Sequence, residues 1–430
     1  MPRSFFFGKI WRSRSTMKGS HWLIIALAIV PFVMVQQIAN NMIEGISLRI
    51  IETDTAHLSA TLPYTISTEQ QQRMLDNVRE MPYVNFAYTE LRGAGIIKHG
   101  KRKSGVLFRG VDTHFLSSKG VSQYLRVLEG SRNITEKNTL LVGSAIAKSL
   151  SLSVGDELLL LSSIEENASS LPKISRAKVL GIVSTGYEEL DRTWVFMQKE
   201  HLQSLLAASD QNWTLGIKIS DPFVLENALV QRNARAMKRG RAIYTELQEV
   251  IKPFGPLRSW YEKNTSTFTL LLSTKTLLYI ALIIAVILAL VSLISTTGMR
   301  IVDLEIELAI LKAIGIDPRQ LELQVILRGA LSGCIGAIVG TAIGTFLAYH
   351  INRIVYILDV VVNSVRAYLG NTEHVSILNP KFYLDTVPFS FYPMNMLASI
   401  VVVTFFSMLS SWYPSRKIRN VSCIKLLRRH

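Results

Sequence analysis

Few residues of this chain have the types and spacing that catalysis requires. Glu188, Glu189 and Asp191 are close enough to suggest a pair of acid–base carboxylates, but a solvated turn explains them more simply. The sequence contains no G-x-S-x-G motif and no suggestive grouping of Ser, His and Asp. Four histidines are scattered without metal-ligand spacing: His57, His99, His114 and His201. The sequence therefore predicts neither an enzyme active site nor a metal site.

The motif for ATP hydrolysis is also missing. The chain has no G-x-x-x-x-G-K-[ST] loop, in which backbone N–H groups and a lysine hold the phosphates. If this protein does mechanical work, the energy must come from a separate subunit.

The segment Met299–Arg319 is the most informative part of the chain. It is rich in charge and lies between two long apolar runs, so it is expected at a boundary between membrane and water. Its apolar residues recur on one helical face: Ile301, Leu304, Leu308 and Leu311. Gly315 then ends the helix, and Asp317-Pro318 begins the next one. The pattern predicts a short docking helix that transmits force to a soluble partner; the alternative is an amphipathic helix without a partner.

The composition is that of a membrane protein. Hydrophobic residues make up 49% of the chain, charged residues 18%, and the mean hydropathy is +0.27. Four apolar runs are long enough to cross a bilayer: Trp22–Ile43, Leu270–Met299, Leu327–Val355 and Pro393–Tyr413. Both termini are basic and lack acidic residues, which places them in the cytoplasm. The net charge of +15 is thus explained by topology and lipid headgroups, and no nucleic-acid partner is expected.

The predicted fold class is an α-helical membrane protein with four transmembrane helices plus a large extracytoplasmic mixed α/β domain between helices 1 and 2. Its predicted parts, in chain order, are a cytoplasmic basic N-terminus (1–20), transmembrane helix 1 (21–45), the periplasmic α/β domain (46–266), transmembrane helix 2 (267–299), a cytoplasmic coupling helix (300–318), transmembrane helix 3 (319–355), a periplasmic loop (356–391), transmembrane helix 4 (392–413) and a cytoplasmic basic tail (414–430).

Within the α/β domain, local patterns predict the individual elements. Ser67 begins a helix that runs to Arg79, because Ser67 and Gln70 form a capping-box pattern. Further helices are expected at Ser144–Leu150, near Lys199–Ala207 and at Pro222–Lys238. The expected strands are His57–Leu62, Val84–Leu91, Val106–Val111, Leu140–Val142, Leu158–Ser162, Lys178–Ser184, Thr193–Met197, Leu215–Ile219 and Ala242–Glu246. Because Cys334 and Cys423 both fall outside this domain, no disulfide braces it.

Two transmembrane helices carry unusual residues. Helix 1 has four amides near its outer end, which line either a substrate cavity or a helix–helix contact: Gln36, Gln37, Asn40 and Asn41. Helix 3 has small residues at four-residue spacing, including Gly336, Gly340 and Gly344. Small residues let helix backbones approach closely, so helix 3 is predicted to be packed among other helices.

The segment Glu305–Gly315 (EIELAILKAIG) resembles the signature that follows the second span in MacB/FtsX-type ABC permeases. Four spans with a large domain after the first span are the layout of that family. Other segments are similar to one branch, the lipoprotein-releasing permeases LolC and LolE: Ser104–Asp112, Leu141–Asp156, Ser259-Trp260, Tyr383–Pro388 and Tyr413–Arg416.

The resemblance implies an inner-membrane complex of two permeases, this chain with a second copy or a paralogue, and two copies of a LolD-like ABC ATPase. Such complexes take lipoproteins from the membrane lipid and hand them to a LolA-like periplasmic carrier. ATP and Mg²⁺ would be held by the ATPase, and no cofactor by this chain. The implied ATPase-coupling residues are Leu304, Glu305, Glu307, Leu308, Leu311, Lys312 and Gly315. The polar segment Glu165–Lys173 lies between two predicted strands and is expected to form a protruding hairpin; an ordinary solvent loop is the alternative. It lies where one permease type carries a carrier-binding hook, which implies the candidates Glu165, Leu171, Pro172 and Lys173.

Lipoprotein release is the leading hypothesis. The alternatives are a permease that transmits ATPase motion to a periplasmic hydrolase, an exporter of a peptide or drug, and a membrane-anchored enzyme, which the lack of an active-site constellation disfavours. Copurification of lipoproteins would separate the first hypothesis from the second.

Overall fold

The computed structural model describes residues 20–162, 173–207, 211–221, 234–303, 305–369, 384 and 386–420. The helices of these residues, in chain order, are α1 (Ser20–Ile50), α2 (Thr68–Arg79), α3 (Thr113–Ser117), α4 (Lys119–Tyr124), α5 (Ser144–Leu150), α6 (Glu188–Asp191), α7 (Lys199–Leu205), α8 (Ala234–Ile251), α9 (Trp260–Lys263), α10 (Thr265–Asp303), α11 (Glu305–Ala313), α12 (Pro318–Tyr349), α13 (Ile351–Tyr368), α14 (Pro393–Ser415) and α15 (Lys417–Asn420). One turn of π-helix, Ile51–Thr55, continues α1.

The strands follow between α1 and α9. They are β1 (Leu58–Leu62), β2 (Val84–His99), β3 (Arg102–Val111), β4 (Arg126–Gly130), β5 (Thr139–Gly143), β6 (Glu157–Ser162), β7 (Ile174–Ser184), β8 (Trp194–Gln198), β9 (Asn212–Ile219) and β10 (Leu257–Ser259). They form one sheet in the order β10-β1-β9-β2-β3-β8-β5-β7-β4, with β6 paired to β2 and β7. The pairs β3–β8 and β5–β7 are parallel, and the other pairs are antiparallel.

The sheet is buried on both faces, as alternate residues of single strands show. Leu140 and Val142 lie in one apolar cluster, which includes residues of α2, α5, α7 and α8. Leu141, between them, lies in the other cluster, which α3 and α4 cover with Phe115 and Val121. Because side chains alternate across a strand, burial on both faces requires the continuous apolar runs that the sequence has here.

Most local predictions for this region are confirmed. The Ser67 capping box forms, with both reciprocal hydrogen bonds, and α2 ends at Arg79 as predicted. The helix Ser144–Leu150 is observed with the predicted bounds. Eight of the nine predicted strands overlap observed strands.

One strand prediction is wrong. Residues Ala242–Glu246 are helical and belong to α8. Ile243, Leu247 and Ile251 are buried at four-residue spacing, so the helical pattern extends beyond the short β-prone run. Of the predicted helix Pro222–Lys238, residues 222–233 lie outside the described residues.

Among the described residues, four helical segments are long and apolar enough to cross a membrane, in agreement with the number predicted: Trp22–Thr55, Thr265–Met299, Pro318–Tyr349 and Pro393–Arg419. Helix α10 extends to Asp303 and α11 begins at Glu305, and residue 304 between them lies outside the described residues. One boundary differs from the prediction. Residues 356–368 were expected in a loop, but they belong to the helix α13.

The small residues of α12 bring it against two other helices. A Cβ placed on Gly336, Gly340 or Gly344 would lie 2.7–2.9 Å from a backbone oxygen of α1. A Cβ on Gly333 would meet the side chain of Ser407 in α14. Two stripes of small residues thus allow α12 to pack closely on both α1 and α14.

Candidate functional site

Helix α11, the segment predicted to dock a partner, is held by an apolar cluster of its own chain. Leu308 and Leu311 are buried there together with Ile301 of α10. The remaining members come from α12 and α15: Leu321, Val325 and Ile418. The face predicted to dock is thus occupied by the chain itself, except that Leu304 lies outside the described residues. The backbone of Glu305 and Glu307 is in α11.

The turn after α11 has the predicted chemistry. Gly315 has φ +92°, a backbone conformation that a residue with a Cβ adopts only with strain. The Ile316 N–H donates to the Leu311 carbonyl at 3.2 Å and closes the end of the helix. Asp317 then caps α12 by accepting from the Arg319 N–H at 2.9 Å. The angle between α11 and α12 is therefore specified by local sequence.

Polar contacts join α11 to α12 and to α15, the last helix that the structure describes. Lys312 Nζ donates to the Arg419 carbonyl at 3.1 Å, and Arg419 Nε donates to Glu322 Oε2 at 2.6 Å. Because Glu322 is almost fully buried, its charge is paired rather than solvated. A displacement of α11 is therefore shared by α12 and α15.

The opposite face of α11 is apolar and exposed. Ile306, Ile310 and Ile314 recur at four-residue spacing with exposed fractions above one half. An open groove of about 380 Å³ is lined by residues of α10, α14 and α15: Ile294, Ser295, Gly298, Met299, Val302, Tyr413, Pro414 and Lys417. The exposed apolar surface of this segment is thus formed by the isoleucines, while Leu308 and Leu311 are buried.

Where α1 continues into the π-helix, a cluster of buried charges connects the π-helix to the sheet. Arg109 of β3 is fully buried and pairs with Glu90 of β2, with Nη2–Oε2 2.6 Å and Nε–Oε2 3.0 Å. Its Nη1 donates to the Thr53 carbonyl in the π-helix at 2.5 Å. The guanidinium also lies 4.8–5.4 Å from the centres of three aromatic rings, those of Phe115, Trp194 and Phe196.

Arg92 makes the second connection of this cluster. It lies directly opposite Arg109 in the β2–β3 ladder, a pairing of like charges that is unfavourable by itself. The Glu90 carboxylate lies between them and accepts from Arg92 Nε at 2.6 Å through its other oxygen. Arg92 Nη1 then donates to Asp54 Oδ1 in the π-helix at 2.9 Å. Two arginines and two carboxylates thereby join the π-helix to the strands β2 and β3.

Glu52 makes the third connection, with strand β9. Its carboxylate accepts from Lys218 Nζ at 2.6 Å and contacts His57 Nε2 at 3.1 Å. His57 Nδ1 accepts from the Ile219 N–H at 3.0 Å, so its Nε2 carries the proton that Glu52 accepts. Burial lowers the pKa of Lys218, although the charge of Glu52 opposes that shift.

Lys263, at the end of α9, adds one more charge near this cluster. Burial, followed by repulsion from Arg92, lowers its pKa to about 8. Asp54 and Glu90 attract it and limit the shift. We name the set Glu52, Asp54, Glu90, Arg92, Arg109, Lys218 and Lys263 the sheet joint.

The four amides of α1 do not form one surface. Gln37 and Asn41 are buried, and Asn41 Oδ1 accepts from the Ser390 N–H at 3.1 Å. Gln36 and Asn40 are half-buried, and Asn40 Oδ1 accepts from Tyr279 Oη of α10 at 3.3 Å. The first pair is therefore enclosed by protein, with Asn41 bound to the segment before α14, whereas the second pair has part of its surface open and Asn40 contacts α10.

The other predicted site residues are placed as follows. Of the hairpin candidates, Glu165, Leu171 and Pro172 lie outside the described residues. Lys173 Nζ donates to the Ser204 carbonyl at 3.0 Å. Asp191 is buried and accepts from Ser144, Ser184 and Thr185, so it organises a turn. No group of three or more metal-ligating side chains occurs among the residues that the structure describes.

Residues 279–423 match the family model of the FtsX-like permease C-terminal domain. This part of the chain contains α11 and its supporting cluster. The resemblance to FtsX-type permeases that the sequence suggested is thereby confirmed.

Curated relatives point to the same group of proteins. The chain is 24% identical to the lipoprotein-releasing system transmembrane protein LolC of Neisseria meningitidis serogroup B, over 67% of this chain and 64% of that protein. The match thus spans just under two thirds of that relative. This chain is also 19% identical to the lipoprotein-releasing system transmembrane protein LolE of Haemophilus influenzae, over 81% of this chain and 77% of that protein.

Among solved structures, the periplasmic region of MacB from Actinobacillus actinomycetemcomitans is similar at 11% identity. The alignment covers 50% of this chain and 95% of that one, with a TM-score of 0.30. A score this low does not establish a common fold.

Sequence reasoning missed the sheet joint, although a signal for it was present. Glu90 and Arg109 are charged residues inside runs that were predicted as strands, Val84–Leu91 and Val106–Val111. Charges at positions buried between two faces require partners. They pair with each other across 19 positions, and Arg109 also binds the Thr53 carbonyl, 56 positions away, so no local pattern indicates these contacts.

Proposed function

We propose that this chain is the permease subunit of an ATP-driven ABC complex that extracts lipoproteins from the bacterial inner membrane and passes them to a periplasmic carrier. The observation that carries the proposal is the match to the FtsX-like permease domain over the segment that contains α11. The names of the LolC and LolE relatives supply the substrate class.

In this proposal the motor is a separate, LolD-like ATPase, which holds ATP and Mg²⁺. It docks on Ile306, Ile310 and Ile314, the exposed apolar face of α11. The cluster beneath, with Leu308 and Leu311, makes α11 a firm support rather than a loose loop. Movement of the ATPase then displaces α11 together with α12 and α15.

The sheet joint is proposed to act on the predicted outer side of the membrane, where it links the π-helix to the sheet. Helix α1 is continuous with the π-helix, which is held by buried ion pairs to β2 and β9 and by a hydrogen bond to Arg109 of β3. Breaking buried ion pairs is costly, so the π-helix stays attached to the sheet. In this proposal, a movement of α1 reaches the sheet through the π-helix.

Gln36 and Asn40 are the candidates for substrate contact, because they are the open pair of amides between α1 and α10. A photo-crosslinking amino acid at Asn40 is expected to capture acylated lipoprotein in cells that express the complex. The same group at Asn41, which is buried against the start of α14, serves as the matched control and is expected to give little adduct. Adducts with lipid alone at Asn40, analysed by mass spectrometry, would count against a substrate cavity.

The sheet joint also fits the alternative in which ATPase motion activates a periplasmic hydrolase or drives export of a peptide or drug. In that case the solubilised complex would copurify with a hydrolase or such a substrate, and lipoproteins would be absent from it.

A further inference from the structure

Helix α11 is too short to be stable by itself. Its nine residues, Glu305–Ala313, span about 14 Å at ~1.5 Å per residue, and an isolated helix of fewer than about 12 residues is marginal in water. Its helical form must therefore depend on the packing of Leu308 and Leu311 in the apolar cluster. The turn at Gly315 fixes one end of α11 against α12, but it does not hold the rest of the helix in place.

The last described helix supplies part of that packing. Helix α15 has only four residues, Lys417–Asn420, yet its Ile418 is fully buried. Ile418 belongs to the same apolar cluster as Leu308 and Leu311. This side chain thus anchors the end of the described chain beneath α11.

The next residue, Arg419, contacts both α11 and α12. Its guanidinium pairs with Glu322 of α12, with Nε–Oε2 and Nη2–Oε2 both 2.6 Å. Its carbonyl accepts from Lys312 Nζ, in the last turn of α11, at 3.1 Å. One residue of α15 thereby holds α12 through its side chain and α11 through its main chain.

The surroundings of Glu322 decide how much this contact matters. The Glu322 side chain is 5% exposed and lies next to the apolar cluster, whereas that of Arg419 is 56% exposed. A carboxylate buried without its cation is costly, because neither water nor a positive charge then stabilises it. Water can reach Glu322 if α15 moves away, and that movement would also take Ile418 out of the cluster.

We propose that α15 is a latch that sets the position of α11, with Ile418 and Arg419 as its positioning residues. While the latch is closed, the cluster beneath α11 is complete and the exposed isoleucines are presented as one surface. When the latch opens, α11 loses part of its support and unfolds locally. The effect of the latch on an attached ATPase rests on the proposed function, whereas its effect on α11 does not.

Hydrogen exchange of the full-length chain in lipid nanodiscs tests the latch without any ATPase. The amides of residues 305–314 report on α11. The amides of residues 329–345, in α12, report on the membrane helices themselves. The two latch variants are Ile418→Ala, which removes the apolar anchor, and Arg419→Gln, which removes the cation.

Two matched controls make the same kinds of change away from the latch. Leu409→Ala shortens an exposed aliphatic side chain of α14. Arg416→Gln removes a cation that lies over the Trp412 ring, 3.9 Å from its centre, only three residues before Arg419. Neither control is expected to change the exchange of α11.

We expect each latch variant to speed the exchange of α11 at least about tenfold and to leave that of α12 unchanged, because local opening sets the exchange rate. Glu322→Gln added to Arg419→Gln should return the exchange of α11 toward the wild-type rate, since no uncompensated carboxylate remains. Unchanged exchange of α11 in either latch variant, or no recovery in the double variant, would overturn the proposal. Equal acceleration in α11 and α12 would also overturn it, because the variants would then loosen the membrane helices as a whole.

Attachment of the ATPase is measured separately, by copurification with each variant. Weaker attachment to Arg419→Gln but not to Arg416→Gln would support the latch and docking through α11 together. Faster exchange of α11 with undiminished attachment would support the latch and contradict docking through α11, so the two proposals fail on different results.

Discussion

Arg109 is the residue on which the coupling of α1 to the sheet most depends. Its side chain is fully buried, and its charge is balanced by Glu90 and surrounded by three aromatic rings. It also holds the Thr53 carbonyl of the π-helix. A buried ion pair contributes little net stability compared with an apolar pair, but the loss of Arg109 leaves the buried Glu90 with Arg92 as its remaining ion-pair partner and one carboxylate oxygen without its donor.

Removal of one member of this pair should therefore lower the free energy of unfolding more than removal of both. We expect Arg109→Met to lower the free energy of unfolding by about 3–5 kcal/mol, and Arg109→Met with Glu90→Gln to recover part of that loss. Arg102→Met on the same strand, where the arginine is exposed, should cost less than about 1 kcal/mol. Chemical unfolding of the detergent-solubilised protein measures all three. An additive double mutant would contradict the account of the pair.

Lys263 gives the sheet joint a dependence on pH. Its pKa is about 8 in the folded protein, against an ordinary value of 10.5. Between these values the unfolded chain holds a proton that the folded protein has released, so stability rises with pH in this window. Below about pH 8 the folded protein bears the full cost of a buried charge.

Replacement of this lysine should remove that dependence. We expect the unfolding temperature of Lys263→Met, relative to wild type, to be higher near about pH 7 than near about pH 10. Lys101→Met, at an exposed turn, controls for the loss of a lysine. A difference between Lys263→Met and wild type that does not change with pH would contradict the assignment.

At the scale of elements, α12 is the helix that organises the membrane part. One stripe of its small residues contacts α1 and another contacts α14. The sequence predicted this packing surface from spacing alone, because the four-residue repeat of glycine places all members on one side of a helix. It did not indicate which helix faces which stripe, since lipid-exposed and protein-exposed apolar residues look alike in sequence.

A larger residue in the α1 stripe should separate the two helices. A Cβ at Gly340 would lie 2.9 Å from the Ala26 carbonyl oxygen, and a backbone atom cannot move aside easily. Gly340→Val is therefore expected to destabilise the protein by about 1–3 kcal/mol, seen as a lower temperature of aggregation in detergent. Ile338→Val, two residues away and half-exposed, should leave that temperature nearly unchanged. Equal stability of the two variants would mean that the close approach is unimportant.

Two elements show why sequence reasoning succeeded or failed. The capping box at Ser67 was predictable because all of its partners lie within four residues. The strand predicted at Ala242–Glu246 failed because a five-residue window cannot reveal the apolar repeat of an 18-residue helix.

At the scale of the whole molecule, the chain has an exposed apolar surface on α11 and a buried charge cluster where α1 continues into the π-helix. The sequence predicted a docking segment at Glu305–Gly315, but on the face of Leu308 and Leu311, which the structure buries. The second depends on contacts between residues up to 166 positions apart, such as Glu52 and Lys218, which only the folded chain brings together.

A substitution on α11 separates docking through this helix from a general effect of an added charge. Ile310 is 54% exposed on the outward face of α11, whereas Ile96, exposed to 41% on β2, lies in the sheet domain. An aspartate at either position adds the same charge. Only Ile310→Asp should weaken the attachment of an ATPase that docks by apolar contact.

The most direct test is a release assay with the purified chain, its ATPase and an acylated lipoprotein in proteoliposomes, with a soluble carrier outside. We expect transfer to the carrier only when both ATP and the ATPase are present, transfer reduced at least about tenfold by Ile310→Asp, and transfer retained by Ile96→Asp. Transfer by this chain in the absence of the ATPase, or full transfer with Ile310→Asp, would contradict the claim that a separate motor acts through α11.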